Sequence, residues 1–137
     1  MPLPSSLSLQ QEIYSALTGS TSLVALLGGT RVYDDTPEDT PFPYITLGQS
    51  IMRDWSTASD QGREHLLRLH VWSRETGGRE AQLISEEIIN VLHDAVLNLQ
   101  DNALINLRFL GADHITDADR KTHHSILRFR AVTEPTI

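Results

Sequence analysis

Four stretches of this chain alternate apolar and polar side chains with a period of two, which is the signature of a β-sheet with two chemically different faces. The first runs from Tyr44 to about Trp55, with Ile45, Leu47 and Ile51 on one face and Thr46 and Gly48 on the other. The second, Glu64 to Ser73, sets Leu67, Leu69 and Val71 opposite Leu66, Arg68, His70 and Trp72. Ile105, Leu107 and Phe109 mark the third, and Leu127, Phe129 and Ala131 the fourth. Polar links such as STASDQG and GADHITDADRK join neighbouring runs, so consecutive strands pair antiparallel. The second face of the Glu64 run is mixed, a composition that fits partial exposure or cover by another subunit.

Helical periods fill the rest. Ser8 and Gln11 have the spacing of a capping box, and Leu9, Ile13, Ala16 and Leu17 then share a face before Gly19. A short apolar stretch, Leu23 to Leu27, runs into Gly28 and Gly29, a helix stop. After Gly77 and Gly78, Ala81, Ile84, Ile88, Val91, Leu92 and Ala95 recur at steps of three and four, with Arg79, Glu80, Glu86, Glu87 and Asn90 on the other side. TRVY reads as a short strand, and DDTPEDTPFP, with three prolines and four acids, as an ordered loop. The order is helix, short helix, three strands, helix, two strands. This predicts one α+β domain over residues 1–137, a mainly antiparallel sheet with two or three helices packed on one face.

Composition removes several function classes. The 137 residues include no Cys, which excludes zinc ribbons, iron–sulfur clusters, thiol chemistry and a disulfide framework. A formal charge of −7 argues against a protein that grips nucleic acid through many phosphates. Apolar runs such as Leu23 to Leu27 are too short to span a bilayer and the start carries no basic segment, so the expectation is a soluble intracellular chain without membrane contact.

Candidate chemistry concentrates between Asp113 and His124, where Asp113, His114, Asp117, Asp119, His123 and His124 cluster. A metal-dependent hydrolase built on Asp113, Asp117, Asp119 and His123 is one reading. However, adjacent histidines on a strand point to opposite faces, and the stretch lacks the Gly and Glu positions of an EF-hand. A turn whose Asp side chains cap local N–H groups explains it more simply. No nucleophile elbow, phosphate loop or glycosidase carboxylate pair is recognisable, so no catalytic, cofactor or metal residue is assigned.

Charge is more informative than any motif. Between Asp34 and Asp60, six acids (Asp34, Asp35, Glu38, Asp39, Asp54 and Asp60) stand against a single base, Arg53, mainly on two loops. Either these acids are a solvated surface, or they meet a basic patch on a neighbour or line a passage that DNA must cross without sticking. Arg108, Arg128 and Arg130 form a candidate basic stripe, for cross-strand salt bridges or a subunit interface.

Three segments, RVYDDTPEDTPFPYITLG, LRLHVWSRETGGREAQLISEEIINVLH and HHSILRFRAVTE, taken in order with the leading helix, resemble the tail completion or tail terminator proteins of long-tailed bacteriophages and gene transfer agents. The chain departs from that pattern before the last strand, where Arg120 and Lys121 replace an expected glycine. The resemblance implies a virion protein that forms a ring, usually of six subunits, on the head-proximal end of the tail tube. Such a ring halts polymerisation and presents the surface that joins the head. The implied partners are copies of itself, the tail tube protein and a head-tail connector or stopper, with DNA only in passage. The implied location is the particle neck, assembled in the host bacterial cytoplasm. A head-side connector or stopper is the nearest alternative role. Interface candidates are Asp34, Asp35, Glu38, Asp39, Trp55, Asp60 and Arg63 on the loops, and Arg108, Arg128 and Arg130 on the stripe.

Overall fold

The computed structural model describes residues 1–136. Its elements are α1 (Ser5–Thr18), α2 (Thr21–Leu27), β1 (Val32–Tyr33), β2 (Tyr44–Asp54), β3 (Arg63–Ser73), α3 (Arg79–Leu92), β4 (Asn102–Thr116) and β5 (His123–Pro135). The strands form one sheet in the order β1-β2-β3-β5-β4, antiparallel except for β1, which runs parallel to β2. This is the expected α+β architecture. Helices cover one face, and the core lies between them and the inward side chains of the strands, with Ile13, Leu17, Ile84, Ile88, Leu127 and Phe129 all almost fully buried.

The helices follow the apolar spacing, and their ends correct the reading in two places. α1 begins at Ser5 behind Pro4, whose φ of −57° already suits a helix start, so Ser8 is no cap. It lies one turn in, buried, and its hydroxyl donates to the Gln100 carbonyl at 2.8 Å. α2 is capped by Ser20, which accepts from the Leu23 N–H, and stops at Gly28 with φ 77°. Ala81, Ile84, Ile88 and Leu92 form the buried stripe of α3, but the helix ends at Leu92, so Ala95 falls outside it. Asp94 takes a positive φ of 56° there and turns the chain toward the β4 edge, its N–H donating to the Leu107 carbonyl.

The strands keep their existence but not always their faces. Between Leu47 and Ser50 the β2–β3 register shifts by a bulge. A bulged residue reverses the alternation, so Ile51, expected beside Ile45 and Leu47, points away from the helices and is 54% exposed. β4 carries two further irregularities, between Leu104 and Asn106 and between Phe109 and Gly111. They extrude Ile105, expected to share the buried face with Leu107, and Leu110; both are exposed while Leu107 is buried. The strand also runs on to Thr116, so Asp113 and His114 belong to it and the turn shrinks to 117–122. Arg120 occupies the left-handed region at φ 59°, the conformation that an expected glycine would adopt at lower cost.

Candidate functional site

The face of the sheet turned away from the helices is uncovered. It collects side chains from four strands: Ile51, Arg53 and Trp55 along β2 and just past its end, Glu64, Leu66, Arg68, His70 and Trp72 from β3, His124, Ile126, Arg128 and Arg130 from β5, and Asp113 and Ile115 from β4. Trp55, Ile51 and Ile115 are each about half exposed. β2 spans about 35 Å at the rise of an extended strand, so this face has two well-separated ends.

At one end, Glu64 is buried under charged neighbours. Its carboxylate accepts from Arg130 Nε at 2.6 Å and lies 3.5 Å from Arg53 Nε. The Arg130 guanidinium stacks 5.0 Å from the centre of the Trp55 ring. In mid-sheet, Arg128 pairs across the strands with Asp113 at 2.9 Å, and at the β4 edge Arg108 approaches Asp94 at 3.5 Å. The predicted stripe of Arg108, Arg128 and Arg130 therefore exists in position, and each member has an acidic partner. Arg68, exposed on the same face, has no ion pair among the described residues.

At the other end the face is aromatic. Trp72 stacks on His124 with ring centres 3.8 Å apart, and Tyr44 lies beyond Trp72 at 6.3 Å. The Trp72 indole N–H donates to Thr46 Oγ1 at 3.1 Å. His70 Nδ1 and His124 Nε2 meet at 2.7 Å, a hydrogen bond whose donor is set by the tautomers. Burial pushes both imidazole pKa values down, for His70 with the added repulsion of His124, Arg68 and Arg128. Gly48, at the β2 bulge, lets the His70 ring lie flat on the strand, since a Cβ there would stand 2.5 Å from His70 Nε2. Arg74 caps this end, its guanidinium 4.4 Å over the Phe42 ring.

The two acidic loops do not merge into one patch. Asp34, Asp35, Glu38 and Asp39 are exposed between β1 and β2, outside the β2 edge. Trp55, Asp60 and Arg63 stand at the β2–β3 tip, at the far end of β2. That tip is ordered by its own polar groups: Asp54 accepts from the Ser56 hydroxyl at 2.6 Å, a bond that lowers the carboxyl pKa.

The Asp113 to His124 cluster is dispersed. Asp119 accepts from the Thr122 and Lys121 N–H groups at 2.9 Å and from the Thr122 hydroxyl at 2.8 Å, bonds that hold its pKa at about 2. It is a turn cap. Asp113 faces Arg128, His114 Nδ1 meets Ser125 Oγ at 2.7 Å on the helix side, and His123 Nδ1 is 3.2 Å from Thr116 Oγ1. Among the described residues no three potential ligands gather for a metal. Sequence reasoning missed the buried Glu64 and the Tyr44, Trp72, His124 and His70 array. The alternation of β3 places His70 and Trp72 on one face, but their shared partner His124 comes from a strand some fifty residues on, and Tyr44 from the strand on the other side.

Residues 11–134 match the family model described as tail completion protein gp17. Tail completion protein gp17 of Bacillus phage SPP1 is 29% identical over 100 residues, covering 73% of this chain and 74% of that protein. A chain from the virion of a native gene transfer agent particle is also 29% identical and superposes with a TM-score of 0.86 over 94% of this chain and 96% of that one. A further solved chain, 12% identical with a TM-score of 0.62, shares the fold.

Proposed function

Because the chain belongs to the tail completion protein gp17 family, we propose that it is a non-enzymatic virion protein that closes as a ring of six on the head-proximal end of a tail tube. There it ends tube polymerisation and offers the surface that a head-side connector or stopper joins. Its partners are copies of itself, the tube protein and that neck protein, and it assembles in the host bacterial cytoplasm into the particle neck.

The observation that carries this reading is the uncovered sheet face. A face that leaves Ile51, Trp55 and Ile115 half in water has apolar surface still to bury, and association with a second protein surface removes that cost. Closed rings need two different complementary patches on each subunit. The sheet face supplies one candidate and the acidic loop of Asp34, Asp35, Glu38 and Asp39 the other, while the paired arginines serve as structure within the first. Six copies at −7 carry −42, a field that repels DNA in transit.

Native mass spectrometry across a wide concentration range, with negative-stain imaging and with purified tube protein added, tests this. A closed hexamer, alone or on the tube end, is the expected species. A strict monomer that also ignores the tube would overturn the proposal.

A further inference from the structure

We propose that copies of this chain join edge to edge, the last part of β4 in one copy pairing antiparallel with the last part of β2 in the next, while Arg120 and Lys121 of the first meet Asp34 and Asp35 of the second. This rests on the ring reading above and names the contact that closes it. Both edges of the sheet are half occupied within one copy. β1 covers β2 only at Ile45 and Thr46, and past the bulge the outer side of Ser50 to Asp54 has no strand beside it. On β4, the chain after α3 takes up the outer side as far as Phe109: the Asp94 N–H donates to the Leu107 carbonyl at 2.8 Å, and the Phe109 N–H to His93 Nδ1 at 3.0 Å. Beyond the next bulge, Gly111 to Thr116 has no strand on its outer side. The apolar surface points to the same places. Among the described residues, the large apolar strand residues that are exposed are Ile51 and Met52 on β2 and Ile105, Leu110 and Ile115 on β4, and β3 and β5 expose none.

Polarity, hydrogen bonding and charge agree on one register. β2 and β4 run in opposite directions within the sheet, so two copies set side by side with the same face forward bring them together antiparallel. The Trp55 N–H donates to the Gly62 carbonyl, so by alternation the backbone groups of Ser50, Met52 and Asp54 face outward. Phe109 faces outward toward His93, and the bulge after it reverses the alternation, so Ala112, His114 and Thr116 face outward in turn. Pairing Ser50 with Thr116, Met52 with His114 and Asp54 with Ala112 matches these groups. On the uncovered face the same register sets Ile51 beside Ile115 and Arg53 beside Asp113, an apolar and an oppositely charged cross-strand pair. It also carries the β4–β5 turn of one copy to the end of β1 in the next, where Tyr33 lies opposite Thr46 and Asp34 and Asp35 follow. Arg120 and Lys121 are exposed at that turn and have no ion pair among the described residues, and the same holds for Asp34 and Asp35. The turn's own Asp119 is engaged by the Lys121 and Thr122 N–H groups. Two different edges, each complementary to the other, make a contact that can propagate and close.

The absence of Cys allows a direct test in the full-length chain. Ile51 and Ile115 are three strand spacings apart within one copy, about 14 Å, too far for a disulfide, whereas between copies they form a pair of the closely spaced kind that a disulfide fits. In the Ile51→Cys, Ile115→Cys protein, with tube protein added, mild oxidation should give a ladder of covalent oligomers that ends at six. Ile51→Cys with Ile105→Cys, whose second site lies on the occupied part of β4, should give no ladder. A second pair of variants leaves the strands untouched. Arg120→Glu with Lys121→Glu, and separately Asp34→Lys with Asp35→Lys, should each raise the concentration needed for the hexamer at least tenfold, and mixing the two variants' charges in one chain should restore it to within about threefold of the parent. A hexamer that forms without cross-linking at Ile51 and Ile115, and whose combined charge variant assembles no better than either half, overturns the edge pairing while the ring reading stands. A parent that stays monomeric with tube protein present overturns both. Covalent dimers from Ile51→Cys or Ile115→Cys alone, with no ladder from the pair, would assign like edges to each other and overturn the head-to-tail contact.

Discussion

The two faces of the sheet solve the same problem in opposite ways. On the helix side, β5 presents Leu127, Phe129 and Ala131, all essentially inaccessible, against the stripe of α3. On the other side the same strand presents His124, Ile126, Arg128 and Arg130, each half-buried, with the two arginines held by ion pairs and His124 by a stacked ring. One face is stabilised by volume and shape, the other by a few directed contacts left open to water. A strand with a period of two can carry both programmes at once, and the difference teaches which residues serve folding and which are free to serve assembly.

The largest expected effect breaks the covered face. Ile84→Ala removes a fully buried branch between α3 and the sheet and should cost about 2–5 kcal/mol in urea denaturation. Leu66→Ala on the open face should cost under about 1.5 kcal/mol, and similar losses at the two sites would mean that the open face belongs to the core. Next comes the polar exception on the open face. Glu64→Ala leaves Arg130 without its 2.6 Å partner and Arg53 without its neighbour, and should cost about 2 kcal/mol. A loss within about 0.5 kcal/mol would show that the Trp55 ring holds Arg130 alone.

A smaller effect comes from His65, buried on the helix side with a ring nitrogen 2.9 Å from Thr133 Oγ1. Burial, and then Arg63, lower its pKa below the ordinary histidine value, so the unfolded chain takes up the proton first as pH falls. Its contribution is therefore present above about pH 6.5 and declines as pH drops through and below that value. Denaturation midpoints between pH 7.5 and 5 should fall less steeply in His65→Gln than in the parent. The smallest stability change belongs to the loop: reversing Asp34, Asp35, Glu38 and Asp39 together should move folding by about 0.5 kcal/mol or less while impairing hexamer or tail attachment. Normal assembly with all four reversed would remove the loop from the interface.

The amino-acid sequence by itself determined the α3 stripe, the apolar sides of β3 and β5, the glycine stop of α2 and the α+β class, because each is a local periodicity that a single element must bury. It also placed Arg128 and Arg130 opposite Leu127 and Phe129, since alternation within a strand needs no partner. The tertiary structure alone decided what crosses between strands. Bulges in β2 and β4 moved Ile51 and Ile105 off the core face because one unpaired residue reverses the alternation, and no propensity announces where it falls. Pairing of β3 with β5 brought His70 to His124 and Glu64 to Arg130, over sequence separations of 54 and 66 residues. Register is set by the summed burial of whole strands, so these contacts exist only once the sheet has closed.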